Sequence, residues 1–155
     1  MKIFKLDKFA DSRGWSLNDI YANADYVMGT CVQLGTSCKN DNSFQVNYSV
    51  INPGVIKAWH RHKCQDDYFC IIKGMAQVGV YNEKTGKAEK IFIGEHNPCV
   101  VRIEAGEWHG LTPVGTEPCG LLYFVTCKYN PKDPDEERAN WDDFVGADWW
   151  KPENK

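Results

Sequence analysis

Gly54-Val-Ile-Lys-Ala-Trp-His60-Arg-His62-Lys-Cys-Gln-Asp-Asp67-Tyr-Phe-Cys-Ile-Ile-Lys-Gly74 is the stretch on which the reading of this chain turns. Alternation from Val55 to His62 predicts a strand that points His60 and His62 to one face, because side chains repeat every two residues. Trp59 then falls on the other face, where core packing is its plain role. A polar turn follows. Asp67 and the apolar run Tyr68, Phe69, Ile71 and Ile72 read as a returning strand. Two imidazoles and a carboxylate can therefore converge from neighbouring strands, with Gln65 or Asp66 as alternative inward residues. On the histidine pair alone, ordinary surface-strand histidines remain the plainer reading.

The flanking sequence has the same character. Phe44 to Ile51, Met75 to Tyr81, Lys90 to Ile93, Cys99 to Ile103 and Leu121 to Thr126 all read as short strands. Asn52-Pro53-Gly54, Asn82 to Gly86 and Glu104 to Glu107 read as turns. Short strands with turns between them and little helix predict an all-β jelly roll, a form that can enclose a small-molecule cavity. The 155 residues are expected to form a single domain (1–155). Its parts are N-terminal strands over 1–22, a core of about 44–128 and an aromatic tail over 129–155. Within the tail, Asp135 to Arg138 reads as a short solvated helix start after Pro134.

A net charge of −3 and the lack of any basic run argue against a nucleic-acid partner. No segment is apolar enough to read as a signal peptide or a bilayer span, so no membrane association and a cytoplasmic location are expected. Seven cysteines with no CxxC pair fit reduced thiols, Cys70 serving as a small core residue. Aromatic residues make up 13% of the chain, which favours strands and a concave interior over a helical bundle.

Gly54, His60-x-His62, Asp67 and Gly74 together resemble the first motif of the cupin superfamily, with Asp in place of the usual Glu. Gly106-Glu-Trp-His109 resembles the second, which contributes a third histidine. A narrower resemblance covers nearly the whole chain. Asp11-Ser-Arg13-Gly14-Trp15, Gln45-Val-Asn47-Tyr-Ser49, Gly54 to His60, Gly106 to Gly110, Tyr123 with Tyr129-Asn-Pro131, and Trp141-Asp-Asp143 with Asp148-Trp149 are similar to successive blocks of the dTDP-4-dehydrorhamnose 3,5-epimerase family.

That resemblance implies a cupin double-stranded β-helix, a homodimer, and epimerisation of a nucleotide-linked 4-keto-6-deoxy sugar through an enolate. It makes His60 the base, Tyr123 the proton-returning acid and His109 a second active-site histidine. It makes Arg13, Gln45, Asn47, Lys57 and Tyr129 substrate-binding residues. Lys57 stands where the family has arginine, keeping the charge but not the bidentate fork. The family's enolate-steadying lysine falls at Asp67, and position 62 is not usually histidine in these epimerases.

A metal reconciles the two resemblances. His60, His62, Asp67 and His109 supply three nitrogens and one oxygen, a set suited to one divalent Zn, Fe, Mn or Ni ion. A cation there would supply, as a Lewis acid, the positive charge that the family's lysine otherwise provides. His60 would then be a ligand, and Tyr123 or a metal-bound hydroxide would have to move the proton. Two other readings stay open at this level: a metal-dependent cupin of another class, such as an oxygenase acting on a small molecule, and a cupin that only binds a sugar or metabolite.

Overall fold

Period-two patterns become strands throughout the computed structural model, which describes residues 1–5, 8–11, 14–17, 45–127 and 129–151. In chain order these are β1 (Lys2–Lys5), β2 (Lys8–Asp11), β3 (Gly14–Leu17), β4 (Gln45–Ile51), β5 (Lys57–Arg61) and β6 (Asp67–Lys73). Then come β7 (Met75–Asn82), β8 (Lys87–Gly94), β9 (Cys99–Ile103), β10 (Trp108–Pro113), β11 (Cys119–Val125) and β12 (Glu137–Arg138), followed by a 3-10 turn at Ala147–Trp150. One five-stranded sheet has the order β1-β9-β6-β11-β4, a second has β12-β5-β10-β7-β8, and β2 with β3 forms a separate hairpin. The pairings are antiparallel.

Ile51, Phe69, Ile71, Val78, Val80, Ile93, Val101, Leu111 and Leu121 belong to the main buried core. The alternate residues of β6, Tyr68 and Cys70, are buried in a second cluster with Val100 and Phe124. The continuous apolar run of β6 is therefore explained by burial on both faces. Trp59 and Trp108 pack on the face away from the main core, as alternation predicts. There they meet Phe144, Trp149 and Trp150 of the tail.

Three expectations are corrected. The segment read as a helix start at Asp135 to Arg138 is extended, and β12 pairs Glu137 with Arg61 and Arg138 with His60. The physical reason is β5, whose open edge offers hydrogen bonds that an isolated short helix could not match. Reciprocal bonds between Trp59 and Ala139, 3.2 and 3.0 Å, continue that pairing. Next, β5 and β6 are not hydrogen-bonded neighbours; they lie in different sheets. Finally, Cys127 is disulfide-bonded, whereas Cys70, Cys99 and Cys119 are free thiols. Among the described residues, no helix is long and apolar enough to cross a membrane.

Gly79 shows how closely the tail approaches. A Cβ there would lie 2.7 Å from the rings of Trp149 and Trp150, so the sheet surface must be bare of side chain at that point.

Candidate active site

His60, His62, Asp67 and His109 come together as the spacing predicts, their ligating atoms all within 4.8 Å of one another. The sheets supply them from opposite sides. His60 on β5 is paired in register with His109 on β10, and their ring centroids are 4.1 Å apart. Asp67 opens β6 in the other sheet, directly beside Val125 of β11. His62 lies one residue beyond β5. Asp67 and His109 are buried, while His60 and His62 are partly exposed.

The choice among Gln65, Asp66 and Asp67 is resolved by their partners. Asp66 accepts hydrogen bonds from Arg102 Nε and Nη2 at 3.1 and 2.6 Å, and from the Ala105 N–H at 2.9 Å. Its carboxylate is thereby committed to the 104–107 turn. Gln65 Nε2 donates to Asp67 Oδ1 at 2.6 Å. That leaves Asp67 Oδ2 facing His109 Nε2 at 3.1 Å and His62 Nε2 at 3.7 Å.

The tautomers follow from chemistry. His109 Nδ1 is bonded to the Glu107 carbonyl at 3.0 Å, and His62 Nδ1 is bonded to the Asp135 carbonyl. A carbonyl can only accept, so both Nδ1 atoms carry hydrogen. In a neutral imidazole each Nε2 then presents a lone pair toward a carboxylate oxygen. Converging acceptors of this kind require positive charge between them, a proton or a metal ion. Ring nitrogens tied back by carbonyls and a carboxylate tied back by an amide are the usual supporting contacts of a metal site. The residues present fit one divalent cation.

The remaining site residues surround a cavity of about 830 Å³. Gln45, Asn47, Lys57, Tyr123 and Tyr129 all line it. Asn47 and Phe69 are the register partners of Tyr123 on its two sides, so the three share a face that looks across at the histidines. The Gln45 amide donates to Asn47 Oδ1 at 2.6 Å, and its oxygen accepts the Tyr129 N–H at 3.1 Å. Arg13 lies outside the described residues.

Lys57 reaches the cavity through a bulge that alternation does not foresee. On β10, His109 and Leu111 are two residues apart, yet their partners on β5, His60 and Lys57, are three apart. The extra residue restores Lys57 to the face of His60. Gly110 makes room for it: a Cβ there would lie 2.3 Å from Ala58 Cβ and 2.6 Å from the Lys57 carbonyl.

Two functional candidates were not legible in the sequence. Arg138, opposite His60 on β12, lines the cavity and is bonded to Glu136 at 2.5 Å. Asp135 holds the loop that carries His62. Both sit in a charged run whose ordinary reading is a solvated surface.

Burial, followed by the charges of His109, His62, Arg138 and Lys57, holds His60 well below the usual imidazole range. An unfolded histidine takes up its proton near pH 6.5, and the folded one resists it, so stability must fall as pH drops below about 6.5. We expect the denaturant midpoint of chelator-treated protein to decline between about pH 6.5 and about pH 5, and His60→Gln to flatten that decline. An equally steep decline in the variant would assign the acid sensitivity to another group.

The sequence matches the polysaccharide biosynthesis C-terminal domain family over residues 32–137. The chain belongs to this family. One relative of this polysaccharide biosynthesis C-terminal domain protein is the probable low-salt glycan biosynthesis epimerase Agl13 of Haloferax volcanii. It is 42% identical over 112 residues, which cover 68% of this chain and 72% of the relative. Another is the spore coat polysaccharide biosynthesis protein SpsL of Bacillus subtilis strain 168, 34% identical over 155 residues and 96% and 94% of the two chains. Among solved structures, the dTDP-4-dehydrorhamnose 3,5-epimerase of Elizabethkingia anophelis NUHP1 superimposes with a TM-score of 0.70 at 20% identity, over 97% of this chain and 81% of that one. The fold of this family member is therefore the all-β jelly roll shared with that structure, as its motifs led one to expect.

Proposed function

We propose that this protein is an epimerase or isomerase of a nucleotide-linked keto-deoxy sugar, working through an enolate with one divalent metal held by His60, His62, Asp67 and His109. The observation that carries the reading is the convergence of those four donors from two sheets, with His60, His62 and Asp67 lining a cavity that Tyr123 also lines. The epimerase relative and the epimerase fold support the reaction class. The cavity volume lies within the ordinary range for small-molecule sites.

A carbonyl beside the exchanging carbon acidifies its proton, and the developing oxyanion needs positive charge nearby. When bound, the metal supplies that charge as a Lewis acid, the part for which the resembling family uses lysine. His60 is then occupied as a ligand. The Tyr123 hydroxyl, on the opposite wall, is the group left to carry protons to and from carbon. Lys57 and Arg138 supply positive charge for a diphosphate, and the Gln45–Asn47 amide pair offers donors and acceptors to sugar or base.

The test is incubation with dTDP- and UDP-linked 4-keto-6-deoxy sugars in heavy water. Deuterium is expected at a carbon flanking the keto group, lost after chelation and restored by added divalent metal. No deuterium in either sugar would overturn the assignment. Exchange that persists through chelation would return His60 to the role of free base.

A homodimer belongs to the same reading. Among the described strands β4 is a sheet edge, and Val46, Tyr48 and Val50 on its outer side are 52%, 53% and 61% exposed, an apolar stripe fit for a second copy. Light scattering is expected to give twice the chain mass for the native protein and the monomer mass for Tyr48→Lys; a monomeric native protein would remove the dimer.

A further inference from the structure

His62 is placed differently from the other members of the cluster. It lies past the end of β5, so no ladder hydrogen bonds orient it, and its own carbonyl accepts the Gly106 N–H at 2.7 Å. His109 is steadied locally, by the carbonyl of Glu107 two residues away. The ring of His62 is steadied by the carbonyl of Asp135, from a segment beyond the last core strand. That segment is tied to the same loop by its side chain. Asp135 Oδ1 accepts the Lys63 N–H and Oδ2 accepts the Cys64 N–H, both at 2.8 Å. Three bonds from one residue therefore clamp three consecutive residues, His62, Lys63 and Cys64.

We propose that Asp135 is a positioning residue of the metal centre, holding His62 with Nδ1 as donor and Nε2 turned toward Asp67 and His109. This rests on the reading of the four-residue cluster as a cation site. The physical reasoning is direct. A carboxylate that takes two successive backbone N–H groups fixes the loop as a rigid hook, and the backbone carbonyl of the same residue then sets the ring's tautomer and direction. Without the clamp, the loop keeps the Gly106 bond at the His62 carbonyl and the Cys127 Sγ contact with the Cys64 carbonyl, but the imidazole loses the backbone anchor that sets its direction and can turn out of the cluster. The affinity of the site is thereby coupled to the docking of the C-terminal segment, which the ring packing on Trp59 secures.

The experiment measures Zn(II) affinity by competition with a chromophoric chelator, and the visible spectrum of the Co(II) form, in four proteins: native, Asp135→Ala, Asp135→Asn and Glu137→Ala. Melting in chelator serves as the control for folding. Asp135→Ala is expected to bind about 10–100-fold more weakly, with a Co(II) spectrum shifted by loss of a nitrogen ligand. Asp135→Asn keeps one acceptor oxygen and is expected to fall between. Glu137→Ala breaks the ion pairs of the same segment with Arg61 and Lys63 without touching His62, and is expected to stay within about fivefold of native. Native affinity and spectrum in both Asp135 variants would overturn the inference, as would a Glu137→Ala loss equal to that of Asp135→Ala. A native protein that binds neither Zn(II) nor Co(II) would instead overturn the cation site itself, and this inference with it.

Discussion

Tyr123→Phe is expected to slow solvent-deuterium entry into the substrate by about 10²–10⁴-fold, the usual worth of a positioned proton-transfer group, or about 3–5 kcal/mol of barrier. The loss should fall on kcat rather than KM, because the ring itself is retained. That ring meets Phe69 edge-on at 6.0 Å between centroids, and phenylalanine preserves the contact. Melting temperature should accordingly change little. Substrate should still enter, since Lys57, Arg138, Gln45 and Asn47 are untouched. Exchange at the native rate in this variant would show that the proton passes through another group. With metal removed, His60 would be the next to examine, since its lone pair would be unoccupied.

The largest stability effect is expected at Trp59→Ala. Trp59 is 1% exposed, and its ring packs at 4.8 Å from Trp150 and 5.8 Å from both Phe144 and Trp149. Truncating a fully buried tryptophan costs about 3–5 kcal/mol, through lost burial and the cavity left behind. For a chain of this length that amounts to roughly 6–20 °C in melting temperature. The damage has a second part. Trp59 anchors the tail whose Ala139 exchanges backbone bonds with it and whose Asp135 clamps the His62 loop. Metal affinity should therefore fall together with stability, although Trp59 faces away from the cluster. A melting temperature within about 3 °C of native would contradict the anchoring role.

The legible part of the site was the part written in local spacing. His60 and His62 two apart, Asp67 at the head of an apolar strand, and His109 after a turn are patterns of residue type and interval, and strand geometry carries them into space almost unchanged. Trp59 on the outer face followed from the same period. The illegible part depended on residues whose positions are set by distant partners. Lys57 enters the cavity because Gly110 lets β5 bulge against β10, a fact about a neighbouring strand that β5 does not encode. Arg138 and Asp135 belong to a charged run that looks solvated until the open edge of β5 takes it as a strand.

By itself, then, the sequence determined most of the strand content, the three converging histidines and the kinship with an epimerase relative, because each is carried by the order and spacing of neighbouring residues. Only the tertiary structure decided that Asp67, and neither Gln65 nor Asp66, meets the histidines, because the buried guanidinium of Arg102 claims Asp66. It also decided that the four candidate donors come from two sheets and that His62 is aimed by the C-terminal segment. Those outcomes are settled by contacts between residues far apart in the chain, where partner choice follows from hydrogen-bond satisfaction and burial rather than from local pattern.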